Sequence, residues 1–253
     1  MPTGSGDLWA LDYEAGRPGW PADALDLVGV PGTATVLEVG AGTGKLTREL
    51  IPAFAQVVAV EPADPMRTIL DRMCPDADVR EGTAQKLPLD DASVDAVFAA
   101  EAFHVFSDEH AVREFARVLK PDGRLVLMWN LPAGRTEPSI AAAETFLNDR
   151  APTDISYDPL DLDGPQYTSG KWRSVLADCS FEPLQEAQVP NPQEIDRDGL
   201  VAFFASMGWI ADLPDEERLP LLDEVRSLLA DVIYRRSWET HVHWTKPVDV
   251  TLA

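Results

Sequence analysis

The sequence predicts an α/β protein built on a doubly wound, mostly parallel sheet. Three observations predict it. Short β-branched or apolar runs alternate with helical stretches through the first half, a glycine-rich turn joins the first run to the first helical stretch, and Lys120-Pro121-Asp122-Gly123 stops a helix just before another apolar run. Continuous apolar runs suit parallel strands buried on both faces. Strand and helix alternating at this spacing give right-handed crossovers in one open sheet.

The strands are Thr35–Val39, Val57–Glu61, Val94–Ala100 and Arg124–Trp129, each flanked by Gly, Pro, Asp or Asn. Between them, residues Gly44–Phe54, Pro65–Met73 and Glu109–Leu119 carry helical patterning. The tetrapeptide after Leu119 is a helix stop and turn. Beyond Asn130 the pattern changes: Glu137–Asn148 reads as a helix, Ala151–Gly170 as a polar loop rich in Pro and Asp, and Trp172–Ala177 as a short helix. Phe181–Val189 and Ser237–Lys246 alternate as strands do, and Leu200–Val232 between them is largely helical, broken near Gly208 and Pro214. The expected organisation is one domain over residues 1–253. A ligand-binding core occupies about 22–132, and a helical lid with closing antiparallel strands occupies about 133–253. Ligands of such sheets bind beyond the carboxyl ends of the strands.

Composition narrows the partners. With 253 residues, 45% hydrophobic and 25% charged, the chain can bury a full core. Its net charge of −22 repels phosphate backbones and anionic bilayers, so neither nucleic acid nor membrane is expected as a partner. Two cysteines far apart, Cys74 and Cys179, build neither a zinc knuckle nor a disulfide framework. The first residues carry no basic patch followed by an apolar run, and no apolar stretch reaches spanning length, so a cytoplasmic location and no metal are expected.

The chemistry starts at Val36-Leu37-Glu38-Val39-Gly40-Ala41-Gly42-Thr43-Gly44. Glycines at 40, 42 and 44 let the backbone turn sharply and approach a ligand, with the free amides of the next helix facing it. A dinucleotide fingerprint wants its third glycine where Lys45 stands; a phosphate-cradling loop wants Ser or Thr where Leu46 stands and an earlier glycine at Val39. Both patterns fail. An acidic side chain at the second strand's end, Glu61, can accept both hydroxyls of a ribose. Nicotinamide enzymes use the same position, so Glu61 alone does not discriminate.

Glu38 through Gly44 does fit a Glu/Asp-x-Gly-x-Gly-x-Gly signature, and here the sequence resembles the class I S-adenosylmethionine-dependent methyltransferases. Val60-Glu61-Pro62, Glu81 through Leu89, Ser93 through Val97 and Arg117 through Leu125 resemble further segments of that family, in order and at its intervals. Tyr13-Glu14-Ala15-Gly16-Arg17-Pro18-Gly19-Trp20-Pro21, Ala102-Phe103-His104-Val105-Phe106 and Trp238 through Trp244 resemble the branch of trans-aconitate methyltransferase-like proteins. Two positions depart from the family: Thr83 stands where Asp is common and Glu101 where Gln is common.

The resemblance implies a Rossmann-like, seven-stranded sheet with a helical C-terminal lid and S-adenosylmethionine as cofactor. It implies cofactor contacts at Tyr13, Arg17, Glu38, Gly40, Ala41, Gly42, Gly44, Glu61, Pro62, Met66, Thr83, Ala84 and Glu101, with Arg17 meeting the methionyl carboxylate. It further implies a small-molecule acceptor methylated on oxygen or carboxyl, as in secondary metabolism, and a monomer or homodimer is expected. His104 and Glu101 are the candidate catalytic pair, as base or orienting group for an alcohol or phenol. Trp129, Asn130, Phe204, Met207 and Trp209 are candidates for the acceptor pocket, and Trp9, Tyr13 and Trp20 for a cover over the cofactor or plain packing. His241 and His243 share one face of a strand, opposite Val242, a face that suits solvent. Lys45 reads as a helix surface residue, and His110 is assigned no role. Two other readings stay open: a protein that binds S-adenosylmethionine without transferring its methyl, and a nicotinamide-dependent oxidoreductase.

Overall fold

Four of the five residues of β1 (Thr35–Val39) are buried, as an apolar run with neighbours on both sides requires. The computed structural model of the chain describes residues 8–152 and 170–248. β2 (Gln56–Val60) and β4 (Val94–Ala100) flank β1, both parallel to it, so that Leu37 pairs with Val58 on one side and Val97 on the other. β3 (Asp78–Arg80) continues the parallel sheet beyond β2, and β5 (Leu119–Pro132) beyond β4. With β6 (Gln185–Ile195) and β7 (Tyr234–Thr245) the order is β3-β2-β1-β4-β5-β7-β6. This is the doubly wound, mostly parallel sheet that the alternation predicts.

The described helices are α1 (Leu8–Gly16), α2 (Thr47–Ala53), α3 (Asp64–Met73), α4 (Glu109–Val118), α5 (Pro138–Asn148), α6 (Lys171–Asp178), α7 (Arg197–Ala205), α8 (Gly208–Ala211) and α9 (Asp215–Leu228). Several carry side-chain caps for their first free amides. Asp108 accepts from Ala111 N at 2.9 Å, Glu137 from Ser139 N at 2.9 Å, and Asp196 from Gly199 N at 2.7 Å. α4 buries Ala111, Val112, Phe115 and Val118, one stripe at helical spacing. None of the described helices is long and apolar enough to cross a membrane.

The chain divides into two compact units. One comprises Trp20–Asn130, Ser169–Pro190 and Thr240–Ala253. Its core gathers Val36, Leu50, Phe54, Phe98, Val126 and Met128 from the central strands and α2. The other comprises Met1–Gly19, Leu131–Thr168 and Asn191–Glu239. Its core joins Ile140 and Leu147 of α5, Leu200, Phe203 and Phe204 of α7, and Val225 of α9. Within that second unit α1 packs on α7, and α9 on both α5 and α7.

The structure differs from the sequence reading at several boundaries. α2 starts at Thr47 rather than Gly44, because Gly44 holds φ +87°, outside the helical region. Residues 120–123 do form a turn, but inside β5: Val94 pairs with Leu119 and Ala96 with Arg124, so the tetrapeptide loops out of the ladder with Asp122 at φ 64°. β6 runs to Ile195 through Pro190 and Pro192, well past the expected end at Val189, while Phe181 makes only an isolated bridge to Pro247. An outermost strand tolerates such prolines. α1 and the three-residue β3 were not anticipated. Most of the expected loop Ala151–Gly170 lies outside the described residues. The helical stretch after Leu200 divides at Gly208 and Pro214 as expected, into α7, α8 and α9.

Candidate functional site

In the unit holding the central strands, the turn after β1 is anchored to the end of β2. Gly40 and Ala41 donate their amides to the Val60 carbonyl at 2.9 and 3.1 Å, and Gly44 N donates to the Ala41 carbonyl at 2.9 Å. Gly40 takes φ +70°, and a Cβ there would lie 2.8 Å from the Ala102 Cβ and 3.4 Å from the Phe106 ring. Both the left-handed backbone and the close neighbours demand glycine. The same contact brings the turn against residues 102–106, the segment that follows β4.

Glu61 closes the turn. Its Oε2 accepts the Gly42 amide at 2.9 Å and its Oε1 the Ala63 amide at 2.8 Å. The side chain is only 4% exposed, and burial pushes its carboxyl above the usual carboxylate range despite those two bonds. A carboxylate has about four acceptor sites, so two remain for further donors such as a vicinal pair of hydroxyls. Arg67 braces the bend from outside, donating Nη1 to the carbonyls of Glu61 at 2.8 Å and Pro62 at 3.0 Å. Met66, on the first turn of α3, is buried.

Glu38 lies beneath the turn, 2% exposed, and accepts the Thr47 hydroxyl at 2.5 Å. Burial, with the nearby Glu61 charge adding to it, pushes its carboxyl up to about 8. The residue is therefore a neutral acid at neutral pH. On the adenine-side segment expected from the family, Thr83 is exposed in a turn closed by Lys86 N donating to the Thr83 carbonyl at 3.0 Å, and Ala84 is buried.

At the carboxyl ends of β4 and β5, Glu101 takes φ +50°, donates its amide to the Met128 carbonyl at 2.9 Å and accepts the Asn130 amide at 2.6 Å on Oε1. A non-glycine residue in that region is strained and is held by its partners. His104 follows in a short 3₁₀ turn, where its Nδ1 accepts the Trp129 indole N–H at 3.2 Å. Trp129 stacks on Trp172 with centroids 4.9 Å apart, and the His243 ring meets Trp172 edge-on at 5.2 Å. Asn130 accepts the Thr240 hydroxyl at 2.5 Å. His243 is 2% exposed, so at that position β7 is buried where a solvent face was expected, while His241 on the same face is half-buried. Its Nδ1 lies 3.3 Å from Glu186, while burial foremost, with Arg173 adding to it, depresses its pKa to about 4.

Tyr13 and Arg17 belong to the other unit. There the Arg17 guanidinium lies 5.6 Å from the Tyr13 ring centroid and 5.0 Å from that of Phe203, and its Nε donates to Ser206 Oγ at 2.9 Å. Phe204, Met207 and Trp209 are core residues of that unit. Thus the structure groups Gly40, Ala41, Gly42, Gly44, Glu61, Pro62, Met66, Glu101 and His104 around the carboxyl edge of β1, β2 and β4, with Glu38 beneath. Among the described residues no group of three or more His, Cys, Asp or Glu is placed to hold a metal ion. Sequence reasoning passed over Arg67, whose neighbours in sequence carry no signature of its contacts.

Residues 37–127 match the methyltransferase domain family. The chain is 33% identical over 229 residues to an uncharacterised methyltransferase-like protein of Schizosaccharomyces pombe, covering 87% of this chain and 85% of that one. It is 36% identical over 218 residues to an uncharacterised methyltransferase of Mycobacterium tuberculosis, covering 86% and 82%. A putative type II methyltransferase from Anaeromyxobacter dehalogenans superposes with a TM-score of 0.65 at 19% identity, covering 90% of this chain and 97% of that one. At that identity the likeness is one of fold.

Proposed function

The chain belongs to the class I methyltransferase family, whose cofactor is S-adenosylmethionine, and from that premise we propose that it methylates a small-molecule acceptor on an alcohol, phenol or carboxylate oxygen. The observation that carries the reading is Glu61: a buried carboxylate at the tip of β2, bonded to the glycine turn, with acceptor capacity left over. Hydroxyls of a ribose fit that vacancy in chemistry and number, and their bonds to an anion are the stronger, charge-assisted kind. The glycines of the turn at Gly40 to Gly44 carry no side chain that would keep the cofactor from the backbone.

S-Adenosylmethionine supplies a methyl on a sulfonium that carries its own leaving group. What remains for the protein is positioning, which accounts for roughly 7 to 11 kcal/mol of barrier lowering when two reactants are well oriented. His104 and Glu101, beside the turn at the carboxyl end of β4, are the groups we assign to orienting the acceptor. Arg17 and Tyr13 are assigned to the cofactor's amino-acid end on the strength of the family motif they match. A carboxylate acceptor needs no base.

Calorimetry with S-adenosylhomocysteine and with NAD tests the cofactor, and incubation with labelled S-adenosylmethionine and a panel of hydroxylated and carboxylated metabolites tests the transfer. Binding of the thioether but not of NAD, with label passing to an oxygen acceptor, is expected. Preference for NAD would overturn the reading, and tight thioether binding with no transfer across the panel would leave a cofactor-binding protein in its place.

A further inference from the structure

In the second unit one guanidinium carries a buried N–H that no described residue accepts. Arg236, on β7, places its guanidinium carbon 4.2 Å from the Phe203 ring centroid and 4.3 Å from that of Trp238. Its Nη1 is buried and has no hydrogen-bond partner. Other arginines of the same unit are matched with acids: Arg218 with Asp12, Arg226 with Asp198, Arg235 with Glu194 and Arg197 with Asp231. Charges of both signs act near Arg236: Glu144 as an opposite charge and, more weakly, Arg17, which lies over the same Phe203 ring, as a like charge. Burial foremost pulls the Arg236 pKa down to about 10, which still leaves it charged at neutral pH.

A buried donor with no acceptor is destabilising, and a buried charge more so. Such an arrangement becomes favourable when an anion arrives. A guanidinium seated against two adjoining rings, whose centroids are 5.7 Å apart, keeps a planar donor fork of the kind that matches a carboxylate. Arg236 also lines a small surface pocket with Arg135, Thr136 and Glu137. In a chain of net charge −22, a local positive site of this kind selects a small anion rather than an extended one.

We propose that Arg236, with Arg17 reinforcing its field, is a carboxylate-binding site. The inference deepens the methyltransferase reading and rests on it only for the molecule that brings the carboxylate, either the methionyl tail of the cofactor or a carboxylate on the acceptor.

The test is calorimetry on the full chain and on Arg236→Met and Arg236→Lys. The probes are S-adenosylhomocysteine beside 5′-methylthioadenosine, which lacks the amino-acid tail, and succinate and benzoate beside their neutral amides. Wild type binds at least one carboxylate probe more tightly than its neutral counterpart. Arg236→Met weakens that probe roughly tenfold or more and spares the neutral one, with Arg236→Lys between. A loss confined to S-adenosylhomocysteine assigns the site to the cofactor; a loss confined to succinate or benzoate assigns it to the acceptor. Carboxylates bound no better than their amides, or bound equally by wild type and Arg236→Met, overturn the proposal. If Arg236→Met does not fold, the wild-type comparison and Arg236→Lys decide it. Failure of both nucleosides to bind wild type would defeat the methyltransferase reading instead, and the succinate and benzoate arm would still report on Arg236.

Discussion

The Trp129 indole N–H points at Nδ1 of His104 across 3.2 Å. An indole nitrogen only donates, so Nδ1 is the unprotonated nitrogen and the neutral ring carries its proton on Nε2. In this arrangement Nε2 offers a hydrogen bond and cannot accept a proton. In the proposed reaction His104 would then orient an oxygen acceptor instead of deprotonating it. His104→Gln, whose amide nitrogen reaches towards the Nε2 position, should keep most of the transfer rate, whereas His104→Asn should lose on the order of tenfold or more. Long-range proton–nitrogen spectra of the wild type should find the proton on Nε2. A proton on Nδ1, or equal rates for the two variants, would retire this role.

Glu61 ties two strand ends together and, in the proposed complex, also meets the ribose. Glu61→Ala should weaken S-adenosylhomocysteine binding by roughly 1.5 to 3 kcal/mol, the scale of lost charge-assisted hydrogen bonds. Calorimetry reads this directly, with circular dichroism to show that the variant is folded. Unchanged affinity in a folded variant removes Glu61 from the cofactor site.

The parts legible in the sequence were those with a local physical signature. Val36–Val39 reads as a buried strand because neighbours on both sides leave it no polar face, and the glycines after it read as a turn because no other residue takes φ +70° at Gly40 beside Ala102. Glu61 was legible because a carboxylate at a strand's end is unusual among apolar neighbours. Arg236 was not, since alternation in Tyr234–Thr245 marks which residues share a face but not which of them lacks a partner. His243 was misjudged for a related reason: period two separates two faces and cannot say that Trp129 and Trp172 cover one of them.

Gly16 also has a role that local sequence hides. It lies at the end of α1, where an added Cβ would fall 2.1 Å from the Phe203 backbone nitrogen and 2.3 Å from its Cα. Backbone cannot yield as a flexible side chain can, so the close packing of α1 on α7 needs a residue without Cβ. Gly16→Ala should destabilise the chain by roughly 1 to 3 kcal/mol, the usual cost of overpacking. Chemical denaturation reads the change, and a variant as stable as wild type would show that α1 sits farther from α7 in solution.

Glu38 makes stability fall as pH rises. Its carboxyl stands near 8 when folded against 4.5 for the ordinary group, so between these values the native chain binds more protons than the unfolded one. Its contribution is complete below about pH 4.5 and is lost as pH climbs through about 8. Glu38→Gln keeps an acceptor for the Thr47 hydroxyl without the ionisation. Relative to wild type, the variant should gain stability between pH 5 and pH 8, by an amount on the order of 2 to 4 kcal/mol. Parallel wild-type and variant curves over that range would mean that Glu38 is already ionised at neutral pH.

His243 works in the opposite sense and over an earlier window. Burial among Trp129 and Trp172 holds its pKa near 4, below the ordinary 6.5, with Arg173 and His241 opposing its protonation and Glu186 favouring it. Between pH 4 and 6.5 the unfolded chain therefore binds the extra proton, and the stability that His243 contributes as a neutral ring is lost as pH falls through that interval. The loss is on the order of 2 to 3 kcal/mol. His243→Phe keeps an aromatic ring against the two tryptophans and cannot take up the proton, so its midpoint of thermal unfolding should decline less than that of wild type from pH 6.5 to pH 4. Equal declines would assign the acid sensitivity to other groups and would require the imidazole to reach solvent or to share its proton with Glu186.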